Sequence, residues 1–137
     1  MSYAFPVPQG QLFYCAHTLS PAKKIRVSLF VDANEAQIKA AKKIGADIIE
    51  LHSGEFCHKK GAAQKAEFNK LKKCAKLAET LGLECHAGHG LNYETAKKIS
   101  QIPQIVELNI GHFLIGEALF EGLATVIKKM RCAMEGN

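Results

Sequence analysis

Leu83-Glu84-Cys85-His86-Ala87-Gly88-His89-Gly90-Leu91-Asn92 is the stretch on which the fold turns. It opens as a short strand from Leu83 to about Ala87, breaks at Gly88-His89-Gly90, and reaches Asn92, whose side chain suits a helix cap. A strand that ends in a polar glycine turn and passes into a helix is the βα unit of a parallel sheet. In such sheets, ligands bind at the carboxyl ends of the strands. Two further apolar runs end the same way, at Glu50-Leu51-His52 and at Asn109-Ile110-Gly111-His112. Together the three ends place a carboxylate, two histidines beside glycine and a candidate anion cradle on one rim.

Working outward, the same alternation appears four times from Arg26 onward. The first strand, Arg26 to Asp32, is rich in β-formers; Asn34 is placed to cap a helix with Gln37 three residues later, and Ile38, Ala41 and Ile44 form its stripe. Gly45 ends it. The second strand, about Asp47 to His52, leads through a polar loop, Ser53 to Gly61, into a long helix. Phe68, Leu71, Ala75, Ala78 and Leu81 recur there at three- and four-residue spacing, and Gly82 is the stop signal. Beyond Asn92 a brief helix cannot pass Pro103, and Ile105 to Ile110 forms the fourth strand. A final helix begins soon after His112, with Ile115, Ala118, Leu119, Val126, Ile127, Met130 and Ala133 as its apolar face. Gly116 and Gly122 predict a short first helix and then a break. Residues 1–22, with Pro6 and Pro8 and no clear period, fit none of this and read as a leader or extraneous segment, leaving 23–137 as the folded unit.

Composition narrows the function. A chain of 137 residues, 47% hydrophobic and 23% charged, has the length and make-up of one domain with a core. No apolar run approaches the roughly 18–20 residues that span a bilayer, and the first ten residues lack the basic start and apolar centre of a secretion signal. A soluble, cytoplasmic protein is expected. Five cysteines, odd in number and without a C-x-x-C pair, argue for reduced thiols. The net charge of +5 comes from scattered lysine pairs such as Lys42/Lys43 and Lys72/Lys73, which belong on solvated helix faces, so no nucleic-acid partner is expected. A mild attraction for phosphorylated small molecules remains. Cys57, His58, Cys85, His86 and His89 lie near one another in sequence, but His86-x-x-His89 straddles a strand end and has no second pair at a zinc-like interval. No metal and no cofactor are expected.

The rim residues suggest their own chemistry. Glycines on both sides of His89 free the backbone to approach a ligand, and the amides running to Asn92 could face an anion. Gly111 and His112 repeat the device before the last helix, where (β/α)8 barrels commonly hold a substrate phosphate. The bland alternative is that these glycines only permit tight turns. Imidazole titrates near neutrality, which suits His89 to proton transfer. Glu50 interrupts an otherwise apolar strand, so it should face a polar interior or a cationic partner. His52 lies on the same side as Glu50 by strand alternation and could serve ligand contact or structure.

Four motifs in this order, Val27-Ser28-Leu29-Phe30-Val31-Asp32, Ile49-Glu50-Leu51-His52-Ser53-Gly54, Ala87-Gly88-His89-Gly90-Leu91-Asn92-Tyr93 and Glu107-Leu108-Asn109-Ile110-Gly111-His112, closely resemble the pyridoxine 5'-phosphate synthase (PdxJ) family. The resemblance runs from about Ile25 to the C-terminal helix. It implies an α/β chain of the TIM-barrel (β/α)8 family, here about four βα units, a half-barrel equivalent to strands five to eight. It also implies a vitamin B6 enzyme of the transferase type. Its substrates would be 1-deoxy-D-xylulose 5-phosphate and 3-amino-2-oxopropyl phosphate, joined with release of phosphate and water as the pyridine ring closes. In that family His89 corresponds to a proton donor, Glu50 to a transition-state stabiliser, and Gly90, Gly111 and His112 to contacts with the aminoketone phosphate. The full-length family forms homo-oligomers. Its first half supplies another catalytic histidine, a glutamate base and arginine contacts, none of which is matched here. Residues 1–22 do not resemble the preceding family sequence, as expected of a truncated or interrupted reading frame. A noncatalytic phosphate-ligand-binding half-barrel and an inert fragment are the alternative expectations.

Overall fold

The computed structural model describes residues 25–136, so the expectation for 1–22 falls outside the described residues. Four strands, β1 (Ser28–Val31), β2 (Ile48–His52), β3 (Glu84–Gly88) and β4 (Ile105–Asn109), form a single sheet in the order β1-β2-β3-β4. Every neighbouring pair is parallel. The helices between them are α1 (Glu35–Lys43), α2 (Gly54–His58), α3 (Gly61–Thr80) and α4 (Tyr93–Ile99), and α5 (His112–Glu121) and α6 (Leu123–Glu135) follow β4. The alternation expected from Arg26 onward is thus an α/β sheet whose four parallel strands alternate with helices.

Register divides the strands into two faces. Ser28 pairs with Ile48 and Phe30 with Glu50, while Glu50 pairs in turn with His86 and His86 with Glu107. Those side chains share one face. Ile49, Leu51, Cys85 and Ala87 point the other way and are buried with Ile38 of α1, Leu71, Ala75 and Ala78 of α3, and Ile99 of α4. Full burial of Ile49 and Leu51 contributes about 1.5–3 kcal/mol each before the entropy of ordering is counted. Among the described residues the helices therefore cover one face and leave the polar face of the sheet, with Phe30 58% exposed, open. A one-residue irregularity between Cys85 and His86 in the β3–β4 pairing returns Glu107 and Asn109 to that polar face.

Local signals were honoured with three differences. Asn34 accepts from the backbone N–H groups of Ala36 and Gln37, as a cap should, but the Gln37 side chain turns back to the Asp32 N–H at 2.8 Å. The polar loop after β2 contains the short helix α2, too brief to show a period. The final helix does divide as Gly116 and Gly122 predict, a short first helix ending at a break on Gly122 (φ 81°). Of its expected apolar face only Val126 and Met130 are buried; Leu119 is 82% exposed, because no described element covers that side of α5.

Candidate functional site

At the carboxyl ends of β2, β3 and β4 the chain forms a cleft of about 680 Å³. Glu50, His89, Gly90, Gly111 and His112, singled out from sequence, all line it. They come from strand ends far apart in the chain, and parallel pairing is what brings them together.

Glu50 ends its side chain above β3. Asn109 Nδ2 donates to Glu50 Oε2 at 2.7 Å, so the carboxylate reaches from β2 to β4. This crossing needs Gly88 beneath it: a Cβ there would lie 2.1 Å from Glu50 Oε1 and 3.0 Å from the Asn109 carbonyl oxygen. Glu50 is half-buried, as a carboxylate within an apolar strand should be when a donor is within reach.

His89 follows directly, with φ 76°, the one non-glycine residue of positive φ among the described residues. That conformation costs an L-residue about 1–2 kcal/mol. Its ring packs at 4.7 Å from the ring of His52, which in turn meets Phe30 edge-on at 5.3 Å. His52 Nδ1 is 3.7 Å from Asp32 Oδ1. His52 thus stands as a wall behind His89 and opens on a neighbouring cavity of about 480 Å³. Gly90 has φ 78°, and a Cβ there would stand 3.3 Å from Cys57 Cβ, so glycine suits this turn on both counts.

Anion capacity differs between the two turns. Asn92 and Thr95 form a reciprocal capping box at the start of α4, the Asn92 N–H donating to Thr95 Oγ1 at 2.8 Å and the Thr95 N–H to Asn92 Oδ1 at 2.9 Å. Those amides are spent. The start of α5, at Gly111 and His112, has no side-chain cap and opens on the cleft, leaving its first-turn amides for an anion. Gly111 has a negative φ of −106°, and a Cβ would meet nothing within 4 Å, so this glycine is not demanded by space in the described residues.

Two further cleft residues, Asn109 and His58, are named in the sequence reading without a role at the rim. Asn109 was noted only as part of a strand end; its bond to Glu50 depends on register across three strands. His58 lines the cleft, and its Nδ1 lies 2.8 Å from the Gly54 carbonyl oxygen, a contact that calls for a proton on Nδ1. Its signal was hidden because α2 has no readable period. His86, considered with His89 as a metal pair, lies lower on the polar face. There its Nε2 is 2.8 Å from Glu84 Oε1 and its Nδ1 3.4 Å from Glu107 Oε1. Arg26, at 2.7 Å, and then His86 hold the Glu84 carboxyl below its ordinary value. Among the described residues no group of three or more His, Cys, Asp or Glu side chains is placed to hold a metal ion. No described helix is long and apolar enough to cross a membrane.

A parallel sheet with helices on one face, and at its carboxyl edge a cleft combining a carboxylate, imidazoles and an uncapped helix start, places the chain in the class of α/β proteins built from βα units. The family described as "Pyridoxal phosphate biosynthesis protein PdxJ" matches residues 9–136, and this chain belongs to it. The match begins within the 1–22 stretch that the sequence reading sets apart. Pyridoxine 5'-phosphate synthase of Xanthobacter autotrophicus is 56% identical over 117 residues, which cover 82% of this chain and 46% of that protein. The Rhodospirillum rubrum protein of the same name is 50% identical over 112 residues, covering 81% and 45%. That of Roseobacter denitrificans is 48% identical over 126 residues, covering 88% and 51%. The chain spans about half the length of the curated relatives it matches.

Proposed function

We propose that this chain is the half of a (β/α)8 pyridoxine 5'-phosphate synthase that carries strands five to eight, and that it works in vitamin B6 biosynthesis in the cytoplasm. Its substrates are 1-deoxy-D-xylulose 5-phosphate and 3-amino-2-oxopropyl phosphate, and it needs no cofactor. The observation that carries this reading is the convergence of Glu50, His89 and the uncapped start of α5 on one cleft. The first-turn amides of α5, with Gly90 and His112, hold the aminoketone phosphate. This leaves His89 free to donate protons, which repeated dehydration and ring closure demand. Glu50, held by Asn109, stabilises positive charge that develops on the amine side of the condensing substrate. The remaining acid, base and arginine groups are assigned to the other half of the barrel, a reading supported by the chain spanning about half the length of its relatives. Among the described residues the polar face of the sheet is open and its two edge strands, β1 and β4, have no outer neighbour, which favours association with a complementary half or with further copies of the chain.

Formation of pyridoxine 5'-phosphate from the two substrates tests the reading, with the chain alone and with the first half of a relative added. Turnover in the mixture should fall at least about 100-fold on His89→Gln, the usual scale for losing a proton-transfer group. Product formation indifferent to both His89→Gln and Glu50→Gln overturns the assignment. The half-length match also favours a second reading, in which the chain binds phosphate ligands without turnover. Calorimetric binding of 3-amino-2-oxopropyl phosphate that weakens on Gly90→Ala, with no product under any condition, would select it.

A further inference from the structure

We propose that Ser53 is a positioning residue for His89, holding it in the left-handed conformation that points its ring at the cleft; this rests on the reading of His89 as the proton-transfer group. Ser53 lies between β2 and α2 and is fully buried. It sits at the N-cap of α2, where a serine hydroxyl normally accepts from an amide of its own first turn. Here it makes no such bond. Instead its Oγ lies 2.7 Å from the Gly88 carbonyl oxygen and 2.8 Å from that of His89, its one proton shared between them. The Ser53 N–H also donates to the Gly88 oxygen at 2.8 Å. From the next turn of α2, Cys57 Sγ approaches the His89 oxygen at 3.8 Å.

The carbonyls on either side of the His89 Cα thus converge on one donor. In extended chain successive carbonyls point to opposite sides, and they turn the same way only where the residue between them takes up helical angles, here the left-handed form with φ 76°. An unaided histidine disfavours that form. The Ser53 hydroxyl opposes the preference, since release of the turn would strand buried acceptors. Gly54 completes the seat: a Cβ on it would come within 2.9 Å of the His52 ring and 3.1 Å of His89 Cδ2, so α2 begins directly under both imidazoles. One short helix therefore grips the His89 backbone and supports its ring.

The test uses the full 137-residue chain labelled with 13C and 15N. It reads the His89 Cα and Cβ shifts, which report φ, and the pH titration of its Cε1–H. In Ser53→Ala both should move away from the unsubstituted chain, with broadening as the turn samples other conformations, while the Val126 and Met130 signals stay in place. Ser53→Thr, which keeps the hydroxyl, should return both readouts. A folded Ser53→Ala chain with unchanged His89 carbon shifts and titration overturns the proposal. If Ser53→Ala does not fold, Cys57→Ala decides: a smaller displacement of the His89 carbon shifts supports the clamp, and none overturns it. The two readings fail separately, because a His89 ring in the unsubstituted chain that ignores added 3-amino-2-oxopropyl phosphate counts against proton transfer, whereas the carbon shifts answer for Ser53.

Discussion

Glu50 on β2 and Asn109 on β4 are joined side chain to side chain at 2.7 Å, over the intervening strand β3. The bridge exists because β3 offers glycine at the crossing point, where any Cβ would overlap the carboxylate. A single missing side chain thereby couples three strands at the edge where the cleft opens. Gly88 has no positive φ, so its role is room rather than backbone freedom.

Gly88→Ala is therefore expected to break the Glu50–Asn109 bond and destabilise the chain by about 1–3 kcal/mol, the range for forcing extra volume into a packed site. Urea unfolding gives the loss. Glu50→Ala in the Gly88→Ala background should recover part of it, since the 2.1 Å overlap is with the carboxylate.

His89→Gly should be more stable than His89→Ala by about 1 kcal/mol, because both lose the ring but only glycine accepts φ 76° without strain. Equal unfolding midpoints for the two variants would show that the left-handed turn is not retained.

Asn92→Ala removes the acceptor for the Thr95 N–H and half of the capping box on α4. A loss of about 1 kcal/mol follows from ordinary cap energetics. Amide exchange should quicken first at the start of α4.

Alkali acts through the thiols. Burial pushes Cys85 up to about 12 from 9.0, so the folded chain keeps a proton that the unfolded chain releases. Stability from this source is intact below pH 9 and declines as pH rises toward 12, by at most about 1.4 kcal/mol per pH unit. Cys85→Ala should flatten the alkaline limb of a stability-versus-pH curve. At pH 8, exposed Cys132 should take a thiol reagent while Cys85 stays unmodified.

Acid acts through Glu84, whose carboxyl is lowered first by the hydrogen bond from Arg26 and then by His86. A lowered carboxyl contributes above its ordinary value of 4.5 and loses that contribution as pH falls through the lower folded value. Glu84→Gln should leave a shallower loss below pH 4.5, read from thermal unfolding across that range.

What could be read from the chain alone was what neighbours in sequence decide. Asn34, Gly45, Gly82 and Asn92 mark helix ends because caps and left-handed stops are contacts within a few residues. The stripe Leu71, Ala75, Ala78 is legible because a helix repeats its buried side at fixed spacing. The rim was legible for the same reason: strand ends carry polar residues wherever a parallel sheet meets solvent. Helix α2 escaped because five residues, one of them glycine, contain too little pattern. Ile115 and Leu119 read as a core face from spacing, yet they stand 60% and 82% exposed, since spacing tells which residues share a side and not whether anything covers it.

The sequence by itself therefore determined the order of strands and helices, the polar rim residues and the family to which they point, all set by local periodicity and turn chemistry. Only the tertiary structure decided that Gly88 gives room to Glu50, that Asn109 holds its carboxylate, and that Ser53 grips the turn carrying His89. Each of these partners lies between 35 and 59 positions away in the chain, a separation that parallel register closes and that no local pattern encodes.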